Sequence, residues 1–191
     1  PCVLLNRVVP GVSDVVPNNE PGIAEAVRHL ATLGHKHIGY LSGPSNSWIN
    51  GDRWRHLMKS ALDVGMTIVE IGPNEPNLDA GRLAIDRVLA SGVTAVVTYN
   101  DLMAIGLLRE AAARSVEVPG RLSIIGFDNI FGSDFTSPSL STIQLPLDSA
   151  GADAVQAILT ILDSADAVAT KPSPTALRTS LLIRESTGKV A

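Results

Sequence analysis

Cysteine is nearly missing from this chain: Cys2 is the single one in 191 residues. An internal disulfide and a Cys-rich metal site are therefore excluded, and the usage fits a reducing compartment, so a cytoplasmic location is expected. No apolar run approaches the roughly 18 residues that a membrane span needs, and the start carries no charged-then-apolar export signal. The formal net charge is −4, with Lys and Arg scattered among carboxylates, so this piece offers no clustered basic surface for gripping nucleic acid. Enzyme signatures are also missing. There is no G-x-G-x-x-G or G-x-x-x-x-G-K-[ST] phosphate loop, no G-x-S-x-G elbow and no H-E-x-x-H helix. No nucleophile–base pair is visible, so neither catalysis nor a cofactor is expected. His29 and His56 have no second ligand four residues on, and Gly34-His35-Lys36-His37 reads as a helix stop and strand entry, so metal binding is not expected.

What is present is a regular alternation of two periods. Hydrophobic residues make up 45% of the chain, enough to bury one sizeable core or one core and part of a second. After an opening strand, "VLLNR", the stretch from Asn19 to Leu33 has apolar residues at helical spacing, with Asn19 as the expected cap and Pro21 in the first turn. "HIGYLSG" (37–43), "TIVEIG", "TAVVTY" and "LSIIGF" (122–127) read as strands; helices are expected between them, including "LDAGRLAIDRVLASG" and "DLMAIGLLREAAARS". Such β-α alternation implies a doubly wound, mostly parallel α/β sheet with helices on both faces. Beyond residue 140 come a short strand, a very apolar helix over 147–164, the loop "AVATKPSPT" and a last strand in "ALRTSLLIRES".

In such a sheet the C-terminal ends of the strands share one rim, where ligands sit. The polar residues that follow the strands are Ser47, Trp48 and Arg53, then Asn100 and Asp101, then Asp128 and Asn129. One cation, carboxylates, amides and an indole wall make an inventory for recognising a polar small molecule. Plainer readings stand beside it. Asn100 or Asp101 can cap the following helix, Arg53 can be a solvated first-turn residue, and Asp128 can be a turn former. Trp48 is harder to explain that way, because a large apolar side chain in a polar loop usually covers something.

The segments "VLLNR", "HLATLGHKHIGYLSGP", "YNDLMAIGLL", "VPGRLSIIGFDNI", "SPSLSTIQLP" and "LLIREST", in this order, resemble the effector-binding core of LacI/GalR-type bacterial transcription repressors. The resemblance spans essentially the whole chain and implies a periplasmic-binding-protein-like fold that closes around a small effector, a sugar or nucleobase. It further implies a homodimer that contacts operator DNA only through a headpiece absent here, and no membrane partner. By position Arg53 resembles the family's effector-anchoring arginine, Asn100 the residue at the strand end, and Asp128 the carboxylate that accepts ligand donors. Ser47 and Ile49 fall where specificity contacts vary, and Asn6 on the hinge side. Pro76 stands where some members place an aromatic, so Trp48 is expected to substitute, and His56 stands where glycine is frequent. The chain opens on Pro1 inside a strand, which reads as a fragment lacking its upstream part. Residues 1–17 and 143–172 are accordingly expected to be remnants of an N-terminal subdomain, and 18–142 with 173–191 a complete C-terminal one. An apolar helix without its sheet is expected to associate with another chain or repack. The rival reading from the same fold is a solute-binding protein of a sugar importer; a weaker third is a doubly wound hydrolase.

Overall fold

Along the central strands successive side chains point to opposite faces, and both faces are apolar. A computed structural model describes residues 1–163 and 177–190. Two short strands, β1 (Val3–Leu5) and β2 (Ser13–Val15), pair in parallel by themselves. Then follow α1 (Glu20–Thr32), β3 (His37–Leu41), α2 (Trp48–Asp63) and β4 (Thr67–Ile71). Next come α3 (Leu78–Leu83), α4 (Ile85–Ala90), β5 (Ala95–Thr98), α5 (Asp101–Ala113) and β6 (Ser123–Asp128). The remainder is β7 (Ser141–Gln144), α6 (Leu147–Asp163) and β8 (Ser180–Leu182).

Among the described residues the main sheet has the order β4-β3-β5-β6-β7-β8, all parallel except the β7–β8 pair. Ile38 and Tyr40, Ala95 and Val97, and Ile125 and Phe127 face one layer, packed by Ile23, Val27 and Leu30 of α1 and Leu57 and Ala61 of α2. Their alternates Leu41, Val96 and Ile124 face the other, packed by Ile85 and Val88 of α4 and Met103, Leu107 and Ala111 of α5. The helix after β3 and the helix after β5 therefore lie on opposite faces. Between the ends of those two neighbouring strands the connections diverge and leave a crevice, the switch point at which doubly wound sheets take ligands.

Several local expectations change. The expected helix over 78–92 is two, separated at Ala84, whose N–H is shared between the carbonyls of Ala80 and Gly81. Asn19 stands at the N-cap of α1 but its side chain makes no capping bond; the Glu20 N–H instead goes to Asn18 Oδ1, and Asn19 Nδ2 donates to Asp52 Oδ2 at 2.9 Å. Residues 143 and 144, assigned from sequence to the first unit, belong to β7: Ile143 is fully buried in the core of the main sheet. The small sheet was not expected to have a second strand, because β2 is three residues long between Pro10-Gly11 and Pro17. Helix α6 lies against β1 and β2, where Ala150 and Ala154 join Val15 and Leu177, while Leu147, Val155, Leu159 and Leu162 stay exposed. The expected loop over 167–175, and the parts of the subdomain assignment on 164–176, lie outside the described residues.

Two glycines set the spacing of the second layer. A Cβ on Gly81 would lie 2.1 Å from the Met103 carbonyl oxygen, and one on Gly106 would lie 2.0 Å from that of Leu78. Helices α3 and α5 thus cross backbone to backbone, and no side-chain rotation can relieve an added methyl. Gly106→Ala should therefore lower the unfolding free energy by about 1–3 kcal/mol, seen as a lower urea midpoint; an unchanged midpoint would refute so close a crossing.

Candidate functional site

Arg53 lies in the second turn of α2, and only 4% of it is exposed. A guanidinium that deep needs partners. It donates from Nη2 to Asp128 Oδ1 at 3.0 Å and from Nη1 to the Tyr99 carbonyl oxygen. Its Cζ lies 3.6 Å from the Phe127 ring centroid and 5.1 Å from that of Tyr99, a cation held between two π faces. One polar atom, Nε, is buried without a hydrogen-bond partner. The helix after β3 is thereby fastened to the ends of β5 and β6, across the switch point.

Asp128 ends β6 with its side chain 29% exposed, so the carboxylate reaches both Arg53 and the open rim. Burial pushes its carboxyl up from the ordinary value, and the Arg53 guanidinium pulls back against that shift. Asp128 and Asn129 have φ of 109° and 54°, both in the left-handed region that non-glycine residues avoid. Such conformations cost about 1–3 kcal/mol each and persist where surrounding bonds over-determine them. Here the Asn129 Oδ1 accepts from Arg184 Nη2 at 2.8 Å and from the Ser133 hydroxyl at 3.2 Å, and the Ile130 N–H donates to Asp101 Oδ2 at 2.9 Å.

The loop after β3 is shaped by Asn50, whose Oδ1 accepts from the Gly43 N–H at 2.8 Å and the Tyr40 hydroxyl at 2.9 Å. Ser47 caps α2, accepting from the Asn50 N–H at 3.3 Å, and its hydroxyl meets that of Tyr99 at 3.3 Å. Trp48, the first residue of α2, is 37% exposed at the same end, and Ile49 is half-buried. His56, where glycine is frequent in the family the chain resembles, lies one turn beyond Asp52, 3.6 Å from its Oδ1.

The chain thus joins Arg53, Asp128, Tyr99 and Ser47 in one connected group at the C-terminal rim, with Trp48 beside it. Asn100 takes the capping role open to it in the sequence: Oδ1 accepts from the Met103 N–H at 3.0 Å, capping α5, and Nδ2 donates to the Pro76 carbonyl at 3.1 Å. Its geometry meets both needs at once, because the N-cap position aims the acceptor at the helix while the donor faces the neighbouring loop. Asn6 follows β1 in the small sheet with φ of 55°, and its N–H goes to the Val15 carbonyl; among the described residues no hydrogen bond links its side chain to the Arg53 group. Tyr99 and Phe127 were missed from the sequence because an aromatic at a strand end reads as core. The one signal was position, since Tyr99 immediately precedes Asn100-Asp101.

Asp101 is neither the cap nor a ligand-facing group. It is fully buried and accepts from the Thr142 hydroxyl at 2.7 Å as well as from the Ile130 N–H, tying α5 to β7 and to the loop after β6. Burial raises its carboxyl to about 6.

A doubly wound sheet with polar and aromatic groups gathered at its switch point defines an α/β domain of the architecture that takes ligands at that point. A family model for the periplasmic binding protein-like domain matches residues 27–187. The HTH-type transcriptional regulator GalR of Escherichia coli (strain K12) is 32% identical over 170 residues, 85% of this chain and 49% of that protein. The chain spans about half the length of the curated relatives it matches. A LacI family transcriptional regulator from Arthrobacter sp. FB24, in complex with lactose, superposes with a TM-score of 0.82 at 27% identity, over 98% of this chain and 71% of that one. Another from Enterococcus faecium, with bound ribose, has a TM-score of 0.88 over 99% of this chain and 71% of that one; at 24% identity it speaks for the fold. The chain belongs to the periplasmic binding protein-like family, and within it to the LacI/GalR-type regulators. Among the described residues no helix is long and apolar enough to cross a membrane.

The Asp101 value generates a pH prediction. The folded group titrates near 6 and the unfolded one near 3.8, so the native state holds more protons between those values. Its contribution to stability is therefore fully present below the unfolded value and lost as pH rises through the folded one. Asp101→Asn should flatten that part of the curve: urea midpoints at about pH 4.5 and about pH 6.5 should differ less in the variant than in the parent. Equal differences would show that Asp101 does not titrate there.

Proposed function

We propose that this chain is the effector-sensing core of a transcription repressor, and that its ligand is a sugar-like or nucleobase-like small molecule. The observation that carries the reading is the Arg53 guanidinium fastened to Asp128 and to the Tyr99 carbonyl across the switch point. An arginine and a half-exposed carboxylate side by side can accept from and donate to ligand hydroxyls, each charge-assisted bond contributing about 1.5–3 kcal/mol when desolvated. Trp48 and Ser47 line the α2 side of the opening, and Asn100 holds the loop at Pro76 in place. Asn6 belongs on the hinge side, where a second subdomain, of which β1, β2 and α6 form part, closes over the ligand. Closure changes the contacts the ligand makes, which is how it shifts a two-state equilibrium. The matched relatives are transcription regulators, which favours this reading over an importer's binding protein. The same relatives favour a binding role over catalysis, and a cytoplasmic one.

The protein acts as a homodimer that reaches operator DNA through a headpiece outside this chain. A surface suited to the partner copy lies beside α5. Phe131 and Phe135 stack edge to face, 92% and 71% exposed, next to a groove of about 300 Å³ lined by Ile105, Leu108, Ala112 and Phe135. Exposed Arg109 lines the same groove.

Arg53→Ala and Asp128→Asn should each weaken binding of lactose, or of whichever neutral sugar the protein takes, by about tenfold or more in calorimetric titration. Unchanged affinity in both variants would refute the site. Phe131→Asp with Phe135→Asp should convert the dimer to monomer in sedimentation velocity; a dimer that survives this pair must use another face.

A further inference from the structure

We propose that Tyr99 is a specificity-determining residue of this rim, its phenol supplying, with the Ser47 hydroxyl, neutral ligand-facing hydrogen bonds beside the Arg53–Asp128 pair. The proposal rests on the reading of the rim as the effector site and names a contact within it.

The sequence places an amide just after β5, and the fold fixes its orientation. One N–H and one lone pair of the Asn100 amide are taken by backbone, at 3.1 and 3.0 Å, so swinging it round would uncap α5 and free the Pro76 loop. Tyr99, one residue earlier, is differently placed. Its ring lies flat against the backbone of Gly43 at the end of β3, where an added Cβ would come within 2.6 Å of the ring carbons. The Arg53 guanidinium sits 5.1 Å from its centroid. The ring therefore bridges the two strand ends that form the switch point, fixed by backbone and by a cation, while the residue remains half-buried. A fixed donor at the mouth of a crevice loses little entropy when a ligand arrives.

Its hydroxyl has spare capacity. The bond to the Ser47 hydroxyl is 3.3 Å, well beyond the usual length of about 2.7–2.8 Å for O–H···O. Ser47 in turn holds the Asn50 N–H at 3.3 Å, so the serine too is loosely engaged. Two hydroxyls with weak mutual bonds, each able to donate once and accept twice, can exchange that contact for a ligand hydroxyl at small cost. The charge of Arg53 is met by Asp128, whose remaining lone pairs can accept hydrogen bonds from ligand hydroxyls. Carboxylate acceptor, phenol and serine hydroxyl together suit a neutral ring with adjacent hydroxyls. A ligand hydroxyl lost at the Tyr99 position would leave the phenol with its poor bond to Ser47, which is how such a site discriminates.

The test is calorimetric titration of the purified protein with D-ribose, D-glucose and lactose, and then with the monodeoxy analogues of whichever binds. Tyr99→Phe removes the hydroxyl and keeps the ring over Gly43 and beside Arg53, so its unliganded melting temperature should match the parent. It should weaken binding of the parent sugar by about fivefold. For one monodeoxy analogue the loss should vanish, because the ligand no longer carries the hydroxyl that Tyr99 meets; a merely structural role would weaken all analogues alike. Parent-like affinity in Tyr99→Phe, with binding abolished in Arg53→Ala, overturns the proposal and leaves the rim as the effector site. Binding unaffected by Tyr99→Phe, Arg53→Ala and Asp128→Asn together overturns both.

Discussion

A buried guanidinium organises this molecule. Arg53 reaches from α2 to the end of β6 and to the backbone at the end of β5, and lies between the rings of Phe127 and Tyr99. Leaving such a charge unpaired in the interior would be strongly destabilising, so the ends of β5 and β6 must stand where they satisfy it. Asp128 and Asn129, at the end of β6, both hold left-handed conformations. The chain turns sharply at the strand end so that the carboxylate faces Arg53, and Arg184 and Asp101 hold the turn from behind. The bonds that stabilise the rim thus involve the same residues that are proposed to meet the effector.

The opening beside Arg53 is a consequence of topology. Helices α2 and α5 leave neighbouring strands towards opposite faces, so no connection crosses between the ends of β3 and β5. Two glycines at this level allow close approach: Gly43 lets Tyr99 approach the backbone after β3, and Gly72 sits against the Ser42 hydroxyl, where a Cβ would lie 1.9 Å away. The short distances between α3 and α5 at Gly81 and Gly106 draw the second layer tight and fix where the Pro76 loop meets Asn100. Packing in one layer thereby sets the shape of a rim formed by both.

Much of this was legible along the chain. The two periods of apolar residues place the strands and helices of the main sheet, and residues that follow parallel strands must gather at one rim, so Ser47, Trp48, Arg53 and Asp128 could be named together. The resemblance to LacI/GalR-type regulators, carried by blocks such as "YNDLMAIGLL", singled out Arg53 from an ordinary helix residue. Less legible were the short elements. Three-residue β2 has too little pattern to detect, and the break at Ala84 leaves the apolar spacing of the helix intact.

The sequence by itself determined the layered architecture and the rim, because alternation of hydrophobic periods and chain connectivity are local properties that constrain where strand ends lie. Tertiary structure alone decided which groups at that rim remain open to a ligand. The cap that Asn100 makes to the Met103 N–H is local and was open to reading from the sequence, whereas its bond to the Pro76 carbonyl depends on where a distant loop lies in space. Tyr99 reads as core on its own strand, and becomes a rim residue because Gly43 and Arg53, both distant along the chain, hold its ring at the crevice. Hydrogen-bonding capacity is written in residue types; its allocation depends on distances between segments that no local pattern encodes.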